Sequence, residues 1–88
     1  MQNSDLVALT EIKLYLLEPP ISFKLGSHAI QKINEAMTIL ARYQLRDELL
    51  TGFLEHLKMA IEQNQLQGTA LRKELVQAGR MIGDLNNR

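Results

Sequence analysis

The spacing of hydrophobic positions in this 88-residue chain is mostly helical, starting near the N-terminus. Apolar residues recur every three to four positions over residues 4–17, which predicts a first helix capped by Ser4. The apolar stripe of this helix consists of Leu6, Leu9, Leu14 and Leu17. Residues 11–17 also alternate between apolar and other positions, so a strand there stays open as the alternative. Pro19 and Pro20 end either element, because proline lacks the backbone N–H that would continue it.

Residues 21–25, with the sequence ISFKL, have a period of two instead. Ile21, Phe23 and Leu25 fall on one side, and Ser22 and Lys24 on the other, as in a strand with one buried face. A lone short strand needs a partner, and in an otherwise helical chain the natural partner is the same strand of a second copy. The pattern therefore predicts a homodimer.

The helical period returns after Gly26, with Ser27 placed to cap a helix. The stripe of this helix is Ile30, Ile33, Met37 and Leu40. Charged residues at positions 46–48 predict a break between Arg42 and Glu48, followed by a second helix. The second stripe is Leu50, Phe53 or Leu54, Leu57 and Ile61. One continuous helix over residues 28–66 with a polar interruption is the alternative.

The last periodic segment covers residues 69–85 and follows Gly68, a residue suited to end the helix before it. Its apolar positions are spaced four, three, four and three, which is a short heptad seam. The seam consists of Leu71, Leu75, Ala78, Ile82 and Leu85. It either completes the protein's own core or binds a groove of another protein, so these five residues are the candidate partner-binding residues.

Together these elements predict one small domain over residues 1–88, mainly α-helical. It comprises an N-terminal helix at 4–17, a strand-helix-helix core at 21–66 and a C-terminal helix at 69–85. The alternative is an all-α helical bundle.

The order of elements over residues 21–57 resembles the ribbon-helix-helix family of DNA-binding proteins. A strand of the ISFKL type stands at 21–25, and RDELL stands at 46–50, where the second helix of such proteins opens. The resemblance implies that two chains pair their strands into a ribbon in the major groove of DNA. It implies that Ser22 and Lys24 face the base edges and that the start of the second helix, near Arg46, holds a backbone phosphate.

The composition of the chain excludes several kinds of ligand and functional site. Ten basic and ten acidic residues give a net charge of zero, so no overall field attracts nucleic acid or an anionic membrane. The absence of cysteine excludes disulfides and thiolate metal sites. Neither His28 nor His56 belongs to a metal-binding or catalytic pattern, and no phosphate loop occurs. We expect no metal, no cofactor and no enzymatic activity, and a soluble cytoplasmic protein that binds no membrane, because no long apolar segment occurs.

Two functional hypotheses follow. The first is a small homodimeric DNA-binding factor, such as a transcriptional repressor or an antitoxin-like protein, that uses Ser22, Lys24 and Arg46. The second is an all-helical module that binds another protein, as a chaperone, adaptor or inhibitor does, and does not contact DNA.

Overall fold

The computed structural model of the protein describes residues 2–21, 24–43 and 48–86, and these residues form four α-helices. The helices are α1 (Asn3–Leu17), α2 (Leu25–Arg42), α3 (Glu48–Glu62) and α4 (Gly68–Asn86). Each helix packs on the next one in the chain, and α4 returns to pack on α1, which is the most extensive contact. The four helices therefore close into a ring around one core.

The core is built from aliphatic side chains contributed by all four helices. Its largest fully buried side chains are those of Leu9, Ile12, Leu16, Ile33, Leu54, Leu57, Leu75 and Ile82. Two alanines of α2, Ala29 and Ala36, are also inaccessible to solvent, and their small side chains let neighbouring helices approach α2 closely. This architecture matches the all-α bundle that was the alternative prediction.

The strand predicted at residues 21–25 is wrong for the part of it that the structure describes. Leu25 is the first residue of α2 and is buried, whereas Ile21 is 96% exposed. Leu25 lies four residues before Ala29, so it belongs to the buried helical stripe rather than to an alternating strand. Ser22 and Phe23 fall outside the described residues. No strand occurs within the described ranges, so the resemblance to the ribbon-helix-helix family is wrong.

The helix over residues 4–17 and the break after Arg42 are confirmed. The helix N-caps predicted at Ser4 and Ser27 are wrong. The residues that precede α1 and α2 are Gln2 and Lys24, and neither makes a side-chain cap hydrogen bond. Ser4 and Ser27 instead lie inside the first turns of these helices.

α3 ends at Glu62, and the left-handed residue that follows it is Asn64, four residues before the predicted glycine cap. Asn64 adopts a left-handed conformation with φ of 56°, and its amide donates to the carbonyl of Ile61 at 3.0 Å. The amide of Gln65 donates to the carbonyl of Ala60 at 2.8 Å. These two bonds form a Schellman motif, which satisfies carbonyls that a helix end leaves unpaired. Gly68, with φ of 59°, begins α4 instead.

Candidate interaction surface

The first helix is apolar on two opposite sides. Its inner side places Leu9, Ile12 and Leu16 in the core, each at most 1% exposed. Its opposite side presents Val7 and Leu14 to solvent, at 56% and 58% exposure, and Leu6, on the flank between the two sides, is 45% exposed. We call these three residues the outer face of α1. A helix that is apolar all round is normally covered on all sides, so the outer face is the unusual feature of this helix.

The other strongly exposed apolar side chains among the described residues are isolated from one another. Ile21 and Leu49 lie close in sequence to segments outside the described residues, and Met59 projects alone from α3. Single exposed apolar residues are common on protein surfaces and indicate no site. The outer face of α1 is different because Val7 and Leu14 lie on one side of the same helix, two turns apart, with Leu6 at its edge.

The orientation of α1 is fixed by a polar cluster at one end. The carboxylate of Asp5, in the first turn of α1, accepts from the guanidinium Nη1 of Arg42 at 2.8 and 2.9 Å. The Tyr43 hydroxyl donates to the same carboxylate and accepts from the amide of Gln2 at 3.1 Å. Hydrogen bonds from Tyr43 and Arg42 hold the pKa of the Asp5 carboxyl below its usual value.

Further contacts hold α1 against α2 and α4. The ammonium of Lys32 lies 5.7 Å from the ring centroid of Tyr15, a cation–π distance. The Tyr15 hydroxyl is buried without a hydrogen-bond partner among the described residues, and burial raises its pKa. On α4, Gly79 leaves so little room that a Cβ there would lie 2.9 Å from Cγ of Leu17. The packing that fixes α1 thus leaves its outer face uncovered.

An apolar groove of about 710 Å³ lies between the start of α2 and the α3–α4 connection. Arg72 is the only charged residue among those that line it, and its guanidinium donates to the carbonyl of Pro20 at 3.3 Å. The apolar lining consists of Ile21, Leu25, Ile30, Ile61, Leu66 and Leu71. The groove is open to solvent, and its polar lining consists of Ser27, Asn64, Gln67 and Arg72.

Of the three residues predicted for DNA contact, the structure describes only Lys24. Lys24 is exposed and directly precedes α2. Ser22 and Arg46 lie outside the described residues. With Leu25 in a helix, the interpretation of residues 21–25 as a paired strand in the major groove has lost its structural basis.

The predicted partner-binding seam lies on α4 and faces inward. Leu71, Leu75, Ala78 and Ile82 are buried against the other helices, and Leu85 is half-buried. These positions complete the protein's own core, which was one of the two interpretations of the seam. The sequence pattern placed Leu6 and Leu14 in the same apolar stripe as Leu9, so it did not predict the outer face of α1.

The described residues contain no group of three or more histidine or carboxylate side chains that could hold a metal ion. None of the helices in the described ranges has the length and apolar character needed to cross a bilayer. Comparisons of the chain with models of protein families, with curated proteins and with solved structures found no match.

Proposed function

We propose that this protein is an all-helical interaction module that binds another polypeptide through the outer face of α1. One observation carries the proposal: Leu6, Val7 and Leu14 remain about half exposed on a helix whose other side fills the core. Covering the exposed half of each side chain would contribute about 1 kcal/mol per residue, or about 3 kcal/mol in all. That is enough to matter for binding but too little for a permanent complex on its own.

The rigidity of α1 supports this role. Arg42 and Tyr43 fix its first turn through Asp5, and the close approach at Gly79 fixes its last turn against α4. A helix held at both ends offers its apolar residues in a fixed arrangement, and binding then costs little conformational entropy.

The test is site-specific photo-cross-linking in the native cell. A photo-cross-linking amino acid replaces Leu14 in the full chain, and the matched control carries the same amino acid at Glu35, an exposed position on α2. We expect a cross-linked polypeptide from position 14 and none from position 35. Equal products from both positions, or none from position 14, would show that the outer face of α1 contacts no partner.

A further inference from the structure

The groove between the start of α2 and the α3–α4 connection combines an aliphatic wall with a single charge. Its volume of about 710 Å³ lies within the usual range of small-molecule pockets, about 300–1,000 Å³. The aliphatic side chains that form the wall come from three helices and the two connections beside them, and two of them, Leu25 and Leu71, are buried members of the core. Such a wall suits a hydrocarbon chain, which gains free energy by leaving water.

The charge on the groove is positive and is not balanced by a carboxylate. Arg72 is partly buried, and it makes no ion pair with the described residues. None of the described residues that line the groove is acidic. The hydrogen bond from Nη1 of Arg72 to the Pro20 carbonyl, at 3.3 Å, uses one of the five guanidinium donors. The other donors remain for a ligand.

Two helices also begin at the groove and add to its positive potential. Gly26 and Ser27, in the first turn of α2, and Gly68, the first residue of α4, belong to the lining. Neither helix has an acidic residue in its first turn, where such residues offset the helix dipole. The end of α3 also borders the groove, but the Schellman motif satisfies carbonyls there. The groove therefore favours an anion beside Arg72.

We propose that the groove binds a free fatty acid, with its hydrocarbon chain against the aliphatic wall and its carboxylate on Arg72. One guanidinium matches one carboxylate, because its planar fork can donate two parallel hydrogen bonds to the two oxygens. A phosphate carries more charge and would need further cations, whereas Arg72 is the only charged side chain among the described lining residues. None of the lining residues belongs to the outer face of α1, so this site is additional to that surface.

The open side of the groove limits the affinity. Part of the hydrocarbon chain stays in contact with water, and a flexible chain loses conformational freedom when it binds. We therefore expect a dissociation constant of about 10–100 µM for dodecanoate.

NMR titration of the isotope-labelled full chain with sodium dodecanoate, below its micellar concentration, tests the location of the site. The amide signals of Gly26 and Gly68 should shift and then saturate, because both glycines line the groove. Those of Gly52, Gly79 and Gly83, which do not line it, should stay in place. Any other pattern, including no shift up to about 1 mM dodecanoate, would overturn the proposed site.

The role of the charge is tested with dodecyltrimethylammonium, a ligand of the same chain length and opposite charge. The wild-type chain should bind it at least about tenfold more weakly than dodecanoate. Arg72→Gln should weaken dodecanoate binding about tenfold, and Arg80→Gln, at an exposed position of the same helix outside the groove, should not. Equal binding of the two ligands to the wild-type chain, or unchanged dodecanoate binding in Arg72→Gln, would overturn carboxylate recognition.

A second variant places a carboxylate at the groove without disturbing the core. Ile21 lines the groove and is 96% exposed, so Ile21→Glu should fold normally, which circular dichroism checks. It should weaken dodecanoate binding about twofold to fivefold by repulsion. Met59→Glu is the matched control, because Met59 is 56% exposed on α3 outside the groove and the substitution changes the net charge equally. Equal effects of the two substitutions would overturn the groove as the binding site.

Discussion

Asp5 is the buried charged residue of the described structure, and it joins the start of α1 to the end of α2. Its carboxylate lies in the first turn of α1 and its partner Arg42 in the last turn of α2, so both charges also suit the helix dipoles. The sequence does not reveal this ion pair, because Asp5 and Arg42 lie in different helices. Only the closed fold brings them together.

This cluster predicts a specific acid dependence of stability. The folded pKa of Asp5 is lowered, so the unfolded chain binds its proton more readily. The stabilisation is therefore present above the unfolded pKa, near 3.8, and is lost as the pH falls through the lower folded pKa. Asp5→Asn should be less stable than wild type at neutral pH, and the difference should shrink below about pH 4. Thermal melts between pH 2 and 7 measure this, with Glu55→Gln as the exposed control on α3. A difference that does not change with pH would contradict the assignment.

At the scale of the helix, the contact between α1 and α4 depends on glycine. A Cβ at position 79 would lie 3.0 Å from Cδ2 of Leu17 and 3.2 Å from Cβ of Leu16. The Leu16 Cβ is attached to the backbone and cannot rotate away, so a methyl group at position 79 would push the two helices apart. The sequence alone does not reveal this contact, because positions 16 and 79 lie in different helices.

Two glycine substitutions should therefore have opposite effects. Gly79→Ala should destabilise the protein by about 1–2 kcal/mol, because overpacking outweighs the gain in helix propensity. Gly52→Ala on α3 meets nothing within 4 Å and should stabilise by about 1 kcal/mol. Urea denaturation of both variants measures the two free energies of unfolding. A stabilising Gly79→Ala would mean that α1 and α4 lie farther apart than described.

The sequence predicted helices well where their two sides differ. The stripe of α3 was correct at Leu50, Leu54, Leu57 and Ile61, because the rest of that helix is largely polar. The side of α1 that faces the core could not be chosen, since Leu6 and Leu14 are as apolar as Ile12 and Leu16. The false strand at 21–25 arose because the buried stripe of α2 runs through two alanines, which are weak hydrophobic markers. Because both sides of α1 are equally apolar, the sequence also could not predict which residues would form its outer face.

At the scale of the whole molecule, shortening a side chain in the buried seam of α4 should reduce stability more than shortening one on the outer face of α1. Leu75→Ala removes a side chain with no exposed surface and should cost about 3 kcal/mol, a large part of the stability of so small a domain. Leu14→Ala should cost about 0.5 kcal/mol or less in dilute solution, because that side chain is 58% exposed. Urea denaturation at low protein concentration compares the two. Similar losses from both would contradict the described orientation of α1.

The closure of the ring by α1 and α4 also has a consequence for synthesis on the ribosome. Leu17 packs against Gly79, and Lys13 lies near Gly83, so the first helix completes its packing only on the last one. While α2 and α3 are being made, α1 has apolar residues on both sides and lacks its main neighbour. The nascent chain therefore exposes a helix with apolar surface on both sides until α4 emerges. Native packing of α1 is completed only after the last helix has left the exit tunnel.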